Sequence, residues 1–327
     1  MKHQRLVLVL ALALAGSVGC EKSGGFSSKG SGKLTADETT LLSHLPAGNT
    51  GLFGGNYMKL QKYMQSSPMA SMMSALNKQS PGVVEWTNCF VDLPNLSLLG
   101  AVKIGDKAEM AFVTKGLTID QVEGCAKRAS FPSTVDPDKK FIGFEMQSAM
   151  GPIKTGYLVL ADGTLYTRQA FPLGGAMGGA AAMVSVDRAT LETEAAAIAK
   201  ANASQDTALL AELDHVDRSK AMWFVGSGAR TAIADKLGLV YGTIDIGNGM
   251  AFDITAEVKD KGIADKISEG VPEMKKQASS MPGGLGPIVE SLQFSRSGDK
   301  LRFGLKLTDE QLSTLFKSMG AMMGGGR

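Results

Sequence analysis

The sequence predicts an α+β fold built from two weakly similar copies of an antiparallel-hairpin-plus-helix motif. Apolar stretches with strand character meet in pairs at turns such as Gly105-Asp106 and Gly247-Asn248-Gly249, as antiparallel hairpins do. Segments with helical spacing of apolar residues separate these pairs, and the order of elements recurs along the chain. Hairpins packed under helices give an α+β architecture.

The first copy is predicted to cover residues 35–170. It starts with a helix over Glu38–Leu45, and its last strand turns at Ala161-Asp162-Gly163. The other predicted elements are, in order, strand Gly51–Asn56, a helix, strands Leu96–Ile104 and Ala108–Thr114, helix Thr118–Ala129, and strands Phe141–Met146 and Tyr157–Arg168.

The second copy is predicted over residues 204–327. Its first helix, Asp206–Leu213, aligns with Glu38–Leu45 and places three leucines in register, and Ile246-Gly247-Asn248 matches Ile104-Gly105-Asp106. Chance similarity of two α+β domains is the open alternative. The remaining elements are strand Ala221–Gly228, a helix, strands Val240–Ile246 and Met250–Val258, helix Gly262–Ser279, and strands Ser291–Ser295 and Leu301–Leu307.

A Gly/Ala/Met-rich loop and a connecting helix are predicted between the copies, over residues 171–203. The segment Phe171–Met183 is apolar, yet it contains too many glycines to pack firmly. It is interpreted as a disordered insertion, with a mobile lid over an apolar groove as the alternative.

Residues 1–19 have the pattern of a removable signal peptide. Lys2 and Arg5 precede an apolar run from Leu6 to Gly16, which is about half as long as a membrane-spanning helix requires. The following Ser17-Val18-Gly19-Cys20 resembles the lipobox of bacterial lipoproteins. That resemblance implies export, attachment of diacylglycerol to Cys20 and cleavage before it. Secretion with an unmodified Cys20 is the alternative.

The same resemblance implies a location in the cell envelope of a Gram-negative-type bacterium. Glu21, rather than Asp, follows the cysteine, which favours an outer-membrane anchor facing the periplasm. Residues 20–34 form a lipidated Cys and a flexible Gly/Ser/Lys tether, with a typical reach of about 20 Å. The remainder is loosely similar to uncharacterised exported α+β lipoproteins, a likeness that implies no particular function.

The charge balance argues against a nucleic-acid partner. Removal of Lys2 and Arg5 with the signal peptide leaves 34 − 2 = 32 basic residues against 32 acidic ones. A nucleic-acid-binding surface needs clustered Lys and Arg to displace counterions, and the sequence has no such cluster.

The cysteines predict one disulfide. After lipidation of Cys20, only Cys89 and Cys125 remain, and an even pair in an exported domain is most simply a disulfide bond. Two separate buried thiols are an alternative. A redox pair is another, although it usually has C-x-x-C spacing.

Catalytic motifs are absent from the sequence after the signal peptide. It contains no H-E-x-x-H, C-x-x-C, P-loop or G-x-S-x-G pattern, and its two histidines, His44 and His215, lie near predicted helix ends without an evident catalytic partner. We therefore expect a non-catalytic binding or structural role, with no cofactor and no metal. An envelope enzyme that acts on peptidoglycan or lipid through unidentified carboxylates is the alternative.

Methionine recurs at helical spacing in two segments, which is most simply the apolar stripe of a buried or partner-facing helix. Among 18 methionines, Met69, Met72 and Met73 have the same spacing as Met319, Met322 and Met323. Two thioethers on one helical face suit Cu(I), which is a minor alternative. Flexible Met side chains also suit apolar surfaces that accept varied partners. Met319, Met322 and Met323 are therefore candidate contacts for a protein or lipid partner.

Overall fold

The computed structural model describes residues 32–56, 59, 63, 82–91, 93, 96–104, 107–148, 151–172, 186–227, 236–247, 249–278 and 286–314. Several predictions fall outside these residues: the signal peptide over residues 1–19, the lipidated Cys20 with the tether up to residue 31, residues 173–185 of the Gly/Ala/Met-rich loop, and the methionines Met69, Met72, Met73, Met319, Met322 and Met323.

Helices and strands alternate in groups along the chain. The helices are α1 Ala36–Ser43, α2 Val83–Val91, α3 Ile119–Arg128, α4 Arg188–Ile198, α5 Thr207–Leu213, α6 Lys261–Lys276 and α7 Gly286–Glu290. The strands are β1 Gly51–Asn56, β2 Ser97–Ile104, β3 Lys107–Lys115, β4 Ser133–Val135, β5 Phe141–Ser148, β6 Gly151–Val159, β7 Leu165–Pro172, β8 Met222–Ser227, β9 Leu237–Gly247, β10 Gly249–Val258, β11 Gln293–Ser297 and β12 Lys300–Leu307.

Local sequence explains where two of the helices begin. Thr35 accepts a hydrogen bond from the Glu38 backbone N–H, and the Glu38 carboxylate accepts one from the Thr35 backbone N–H. Thr118 and Gln121 form the same capping box before α3. Each box satisfies backbone donors that the first turn of a helix leaves without partners.

The strands form one antiparallel sheet in the order β11-β12-β10-β9-β8-β1-β2-β3-β7-β6-β5-β4. The two halves of the chain meet where β1 pairs with β8, with Phe53 opposite Phe224. From this pair outward, the first half runs β1-β2-β3-β7-β6 and the second half runs β8-β9-β10-β12-β11. In each half, three strands that are consecutive in sequence are followed by the last strand of that half and then by the strand before it. The first half adds β5 and β4 at its edge. Helices that pack on one antiparallel sheet confirm the predicted α+β fold class.

The outer strands of the first half differ from the prediction in two respects, and the first is that the edge strand β4 was not predicted. The stretch predicted as a partner of β5 over Tyr157–Arg168 is divided between β6 and β7, and β6 starts at Gly151. Glycine and proline are unfavourable inside strands, so Gly151, Pro152 and Gly156 obscured this strand in the sequence. Pairing of β6 along the whole of β5 overrides that local preference.

Each face of the sheet buries its own helices. On the face that we call the front face, α1, α4 and α5 pack on the centre and on the first half. On the opposite back face, α2 and α3 cover the first half, and α6 covers the second. Cys89 of α2 and Cys125 of α3 form a disulfide with Cα atoms 5.4 Å apart, which agrees with the prediction.

Among the described residues, the helices are all too short or too polar to cross a membrane.

Candidate functional site

A cleft of about 300 Å³ lies between α4 and the front face of β2, β3 and β7. Helix α4 crosses these strands because Leu191 and Ile198 pack into the front-face core. The side chains between the helix and the sheet are small, so the two surfaces do not close. The apolar residues of the lining are Pro46, Ala47, Ala101, Met110, Ala111, Ala197, Ile198 and Ala201.

The loop at the mouth of the cleft is held in place by Asp206. Its carboxylate accepts hydrogen bonds from the Gly48 backbone N–H at 2.8 Å and from the Asn49 side-chain amide at 2.8 Å. Asn49 also donates to the Pro46 carbonyl. These bonds connect the loop after α1 to the start of α5 and fix one wall of the cleft.

Charged side chains gather at one end of the cleft around Arg168. The guanidinium of Arg168 on β7 donates to Glu109 on β3 and to Glu194 on α4. Their side chains are 25%, 33% and 23% exposed, so water reaches the network only in part. The single guanidinium engages both carboxylates and joins the helix to the sheet.

Tyr166 forms the floor beside this network. It is 1% exposed, and burial raises its pKa to about 12. The hydroxyl is therefore neutral at physiological pH and donates to Glu194 at 3.1 Å. Glu194 thus accepts from Tyr166 and Arg168 together, which fixes its rotamer.

A second cavity of about 280 Å³ shares Tyr166 and Ile198 with the first and lies on the other side of Ile198. At its rim, His44 lies 2.8 Å from Asp162. Partial burial alone would raise the pKa of Asp162, but hydrogen bonds from His44 and Thr164 outweigh that effect and lower it. The two cavities form a divided hollow along α4.

The chemistry of the cleft suits binding better than acid–base catalysis. Its two facing carboxylates, Glu109 and Glu194, both accept hydrogen bonds from Arg168, which restricts how either could orient a water molecule. Within the described residues, no group of three or more His, Cys, Asp and Glu could hold a metal ion. An apolar body with a polar end would match the alanine-lined wall and the charged end.

Of the predicted site residues, Cys89 and Cys125 belong to the described part of the chain, and they lie apart from this cleft. Cys89 and Cys125 are 4% and 1% exposed on the back face, where they connect two helices. Cys20 and the three carboxyl-terminal methionines fall in parts of the chain outside the description. The sequence analysis did not predict the cleft residues Glu109, Tyr166, Arg168 and Glu194.

One local signal pointed toward the cleft. Lys103 and Glu109 are opposite each other across the first predicted hairpin, so two charges share one face of an otherwise apolar pair of strands. Charged residues on a covered face are expected to be paired or functional. The partner on β7 and the helix that covers it were not evident, because their positions depend on long-range packing.

No family model, characterised protein or solved structure matches this chain.

Proposed function

We propose that the protein is a lipid-anchored binding protein of the bacterial cell envelope, held through Cys20 at the outer membrane and facing the periplasm. The lipobox-like Ser17-Val18-Gly19-Cys20 and the preceding signal-like segment support the anchor. The buried Cys89–Cys125 disulfide is consistent with export, because such bonds persist in oxidising compartments.

A binding role is favoured over catalysis by one observation, the shared engagement of Glu109 and Glu194 by Arg168. Preformed, mostly apolar hollows with a few fixed polar groups are typical ligand sites. An enzyme acting on peptidoglycan or lipid would instead need a carboxylate with freedom to change its protonation state.

Residues 35–170 and 204–327 are proposed to be two copies of one motif. The order of strands outward from β1 and β8 supports this. So does the register, because Phe53 lies opposite Gly100 on β2 and Phe224 lies opposite Gly242 on β9. Each of these glycines precedes its hairpin isoleucine, Ile104 or Ile246, by the same number of residues.

A second contact surface is proposed at the carboxyl-terminal methionines Met319, Met322 and Met323. Their helical spacing supports an apolar stripe suited to a protein or lipid partner. Replacing all three with Ser is expected to reduce capture of that partner from membranes while leaving the thermal midpoint nearly unchanged. A large fall in the midpoint with unaltered capture would mean that they belong to the core.

Membrane fractionation tests the anchor. The full chain is expected in the membrane fraction with labelled lipid on Cys20, and the Cys20→Ala variant is expected in the soluble fraction without label. Cys89→Ala in the same assay controls for the general effect of losing a cysteine. Membrane retention of Cys20→Ala would contradict the proposed anchor.

Native mass spectrometry tests the binding role of the cleft. Chain purified from membranes is expected to carry a small molecule that Ala197→Phe excludes, because Ala197 lines the cleft. Ala196→Phe is the matched control, since Ala196 is the exposed neighbour on α4 and is not part of the lining. Equal loads in the two variants would contradict binding in the cleft.

A further inference from the structure

The cleft under α4 exists because alanines line both its floor and the wall opposite. Ala101 of β2 and Ala111 of β3 are opposite each other on the floor and are 1% and 5% exposed. Ala197 near the end of α4 and Ala201 just after it lie one helical turn apart in the wall, since the Ala201 backbone N–H donates to the Ala197 carbonyl. Larger side chains normally fill the contact between a helix and a sheet, so the alanines leave the space of about 300 Å³.

The dimensions of the cleft favour a compact ligand. Its volume lies at the lower end of the range of about 300–1,000 Å³ that is typical of ligand pockets. Ile198 and Tyr166, which are 6% and 1% exposed, line both this cleft and the second cavity and lie between them. The apolar part of the cleft therefore suits a short apolar group better than a long alkyl chain.

Two charged groups at the end of the cleft keep hydrogen-bonding capacity. Lys103 and Glu109 are directly opposite each other on β2 and β3, where opposite charges usually pair. Glu109 instead accepts from Arg168 through Oε1, and Lys103 forms no hydrogen bond or ion pair with a residue that the structure describes. The ammonium group of Lys103 and the Oε2 atom of Glu109 are therefore available to a ligand. Glu194 is not, because its two oxygens accept from Arg168 and Tyr166.

The charges around this end are balanced. Lys103 and Arg168 provide two cations, and Glu109 and Glu194 provide two carboxylates, so the net formal charge is 2 − 2 = 0. A ligand with a carboxylate alone would meet the charge of Glu109, and a ligand with an amine alone would meet that of Lys103. A ligand with both charges side by side matches the available cation and the available oxygen together.

The charged end of the cleft lies far from the tether. Arg218 donates to the carbonyls of Gly32 and Lys33, and it lines a cavity together with Ser97, the first residue of β2. Lys103 is six residues further along β2, which corresponds to about 20 Å in a strand. The charged end therefore points away from the anchored end of the sheet, which favours a water-soluble ligand over a membrane lipid.

We propose that the cleft under α4 binds a single apolar α-amino acid as its zwitterion. Lys103 donates to the carboxylate of the amino acid, and the Oε2 atom of Glu109 accepts from its ammonium group. Its side chain packs against the alanines of the floor and of the wall. The inference rests on the proposed binding role of the cleft and assigns a ligand class to it.

Titration calorimetry with the full, detergent-solubilised and extensively dialysed chain tests this proposal, using L-valine, L-leucine, L-isoleucine, L-methionine and L-phenylalanine in turn. At least one of them is expected to bind. Its amide lacks the carboxylate, and its N-acetyl derivative lacks the ammonium group. The wild-type chain should bind each derivative about tenfold or more weakly than the amino acid, since each loses a hydrogen bond between charged groups.

Two variants separate the two charged contacts. Lys103→Met should abolish the preference for the amino acid over its amide. Glu109→Gln should abolish the preference over the N-acetyl derivative, and its amide oxygen can still accept from Arg168. Lys200→Met is the matched control, because Lys200 is an exposed neighbour of Ala201 and lies outside the cleft lining. It should leave both preferences unchanged.

Three outcomes would overturn the proposal: binding of none of the five amino acids, unchanged preferences in Lys103→Met and Glu109→Gln, or tighter binding of decanoate than of any amino acid. In each of these cases, a small molecule carried by the wild-type chain and excluded by Ala197→Phe would still support the binding role of the cleft. Equal loads in Ala197→Phe and Ala196→Phe would contradict that role itself, so the two failures are distinguishable.

Discussion

Replacing Arg218 with alanine should destabilise the protein more than replacing any exposed arginine. The Arg218 side chain is 2% exposed and donates to the Glu38 carboxylate at 2.8 Å. It also donates to the carbonyl of Leu213 at 2.6 Å and to those of Gly32 and Lys33 at 2.9 and 3.0 Å. One guanidinium thus ties the end of the tether to α1 and to the end of α5.

The size of the effect follows from which partners water can reach after the change. Breaking a buried ion pair costs about 3–5 kcal/mol. The carbonyls of Gly32 and Lys33 belong to exposed residues, and the Glu38 side chain is 21% exposed, so water replaces part of what is lost. The carbonyl of Leu213, a residue 1% exposed, has no such access to water and keeps the longer hydrogen bond from the Val216 backbone N–H at 3.3 Å. We therefore expect a loss of about 3 kcal/mol, at the lower end of that range.

Equilibrium urea unfolding, followed by fluorescence of the buried Trp223, measures this loss as a lower midpoint at unchanged slope. Arg188→Ala is the matched control. Arg188 forms ion pairs with Asp136, Asp138 and Glu192, but its side chain is 31% exposed and water screens them. If Arg188→Ala lowers the midpoint as much as Arg218→Ala, burial is not what gives the Arg218 contacts their strength, and the reasoning is refuted.

Three other changes have expected outcomes. The double variant Cys89→Ala, Cys125→Ala should lose roughly 4 kcal/mol of unfolding free energy, because the bond closes a loop with a sequence separation of 36; a loss under about 1 kcal/mol in urea unfolding would contradict the chain-entropy estimate. Gly249→Ala should unfold at much lower urea concentration, since this residue has φ +110° and a Cβ there would overlap a carbonyl of β12; a wild-type midpoint would show that the hairpin adapts freely. Burial alone would raise the pKa of Glu38, but hydrogen bonds from Arg218 and Thr35 lower it. The stabilisation of the fold by the Glu38 carboxylate is therefore complete above the usual glutamate pKa, and it is lost as the pH falls through the lowered pKa. The destabilisation by Arg218→Ala should therefore shrink in acid, and an effect independent of pH between 7 and about 2 would argue against the ion pair.

Local patterns in the sequence predicted most of the elements correctly. The hairpin at Gly247-Asn248-Gly249 was predicted from its glycines, and positive φ at Gly249 is what makes that residue necessary there. The helix predicted over Thr118–Ala129 corresponds to α3, which Thr118 caps in the structure. The disulfide followed from counting the cysteines of a chain predicted to be exported. These features depend on short-range geometry or on a small set of alternatives.

The single continuous sheet could not be predicted in this way. The halves join through β1 and β8, and β1 has the sequence Gly51-Leu52-Phe53-Gly54-Gly55-Asn56, which specifies no pairing partner. A strand with several glycines is weakly specified in register. The cleft was missed for the same reason, since Glu109, Arg168 and Glu194 come from three elements that only the tertiary fold brings together.

The alternation of residues on the central strands nevertheless contains information about which half of the front face is covered. On β2 and β3, both faces are apolar, as in Leu98-Leu99 and Phe112-Val113, which is typical of strands with helices on both sides. On β10, Phe252 and Ile254 alternate with Asp253, Thr255 and Glu257, which is typical of a sheet with one face open to water. The connecting helix α4 packs on the apolar front face of the first half, where Leu191 and Ile198 join the core. The same difference separates the half-apolar hollow beneath α4 from the polar cavity that Tyr241, Thr255 and Arg302 help to line on the face that α4 does not reach.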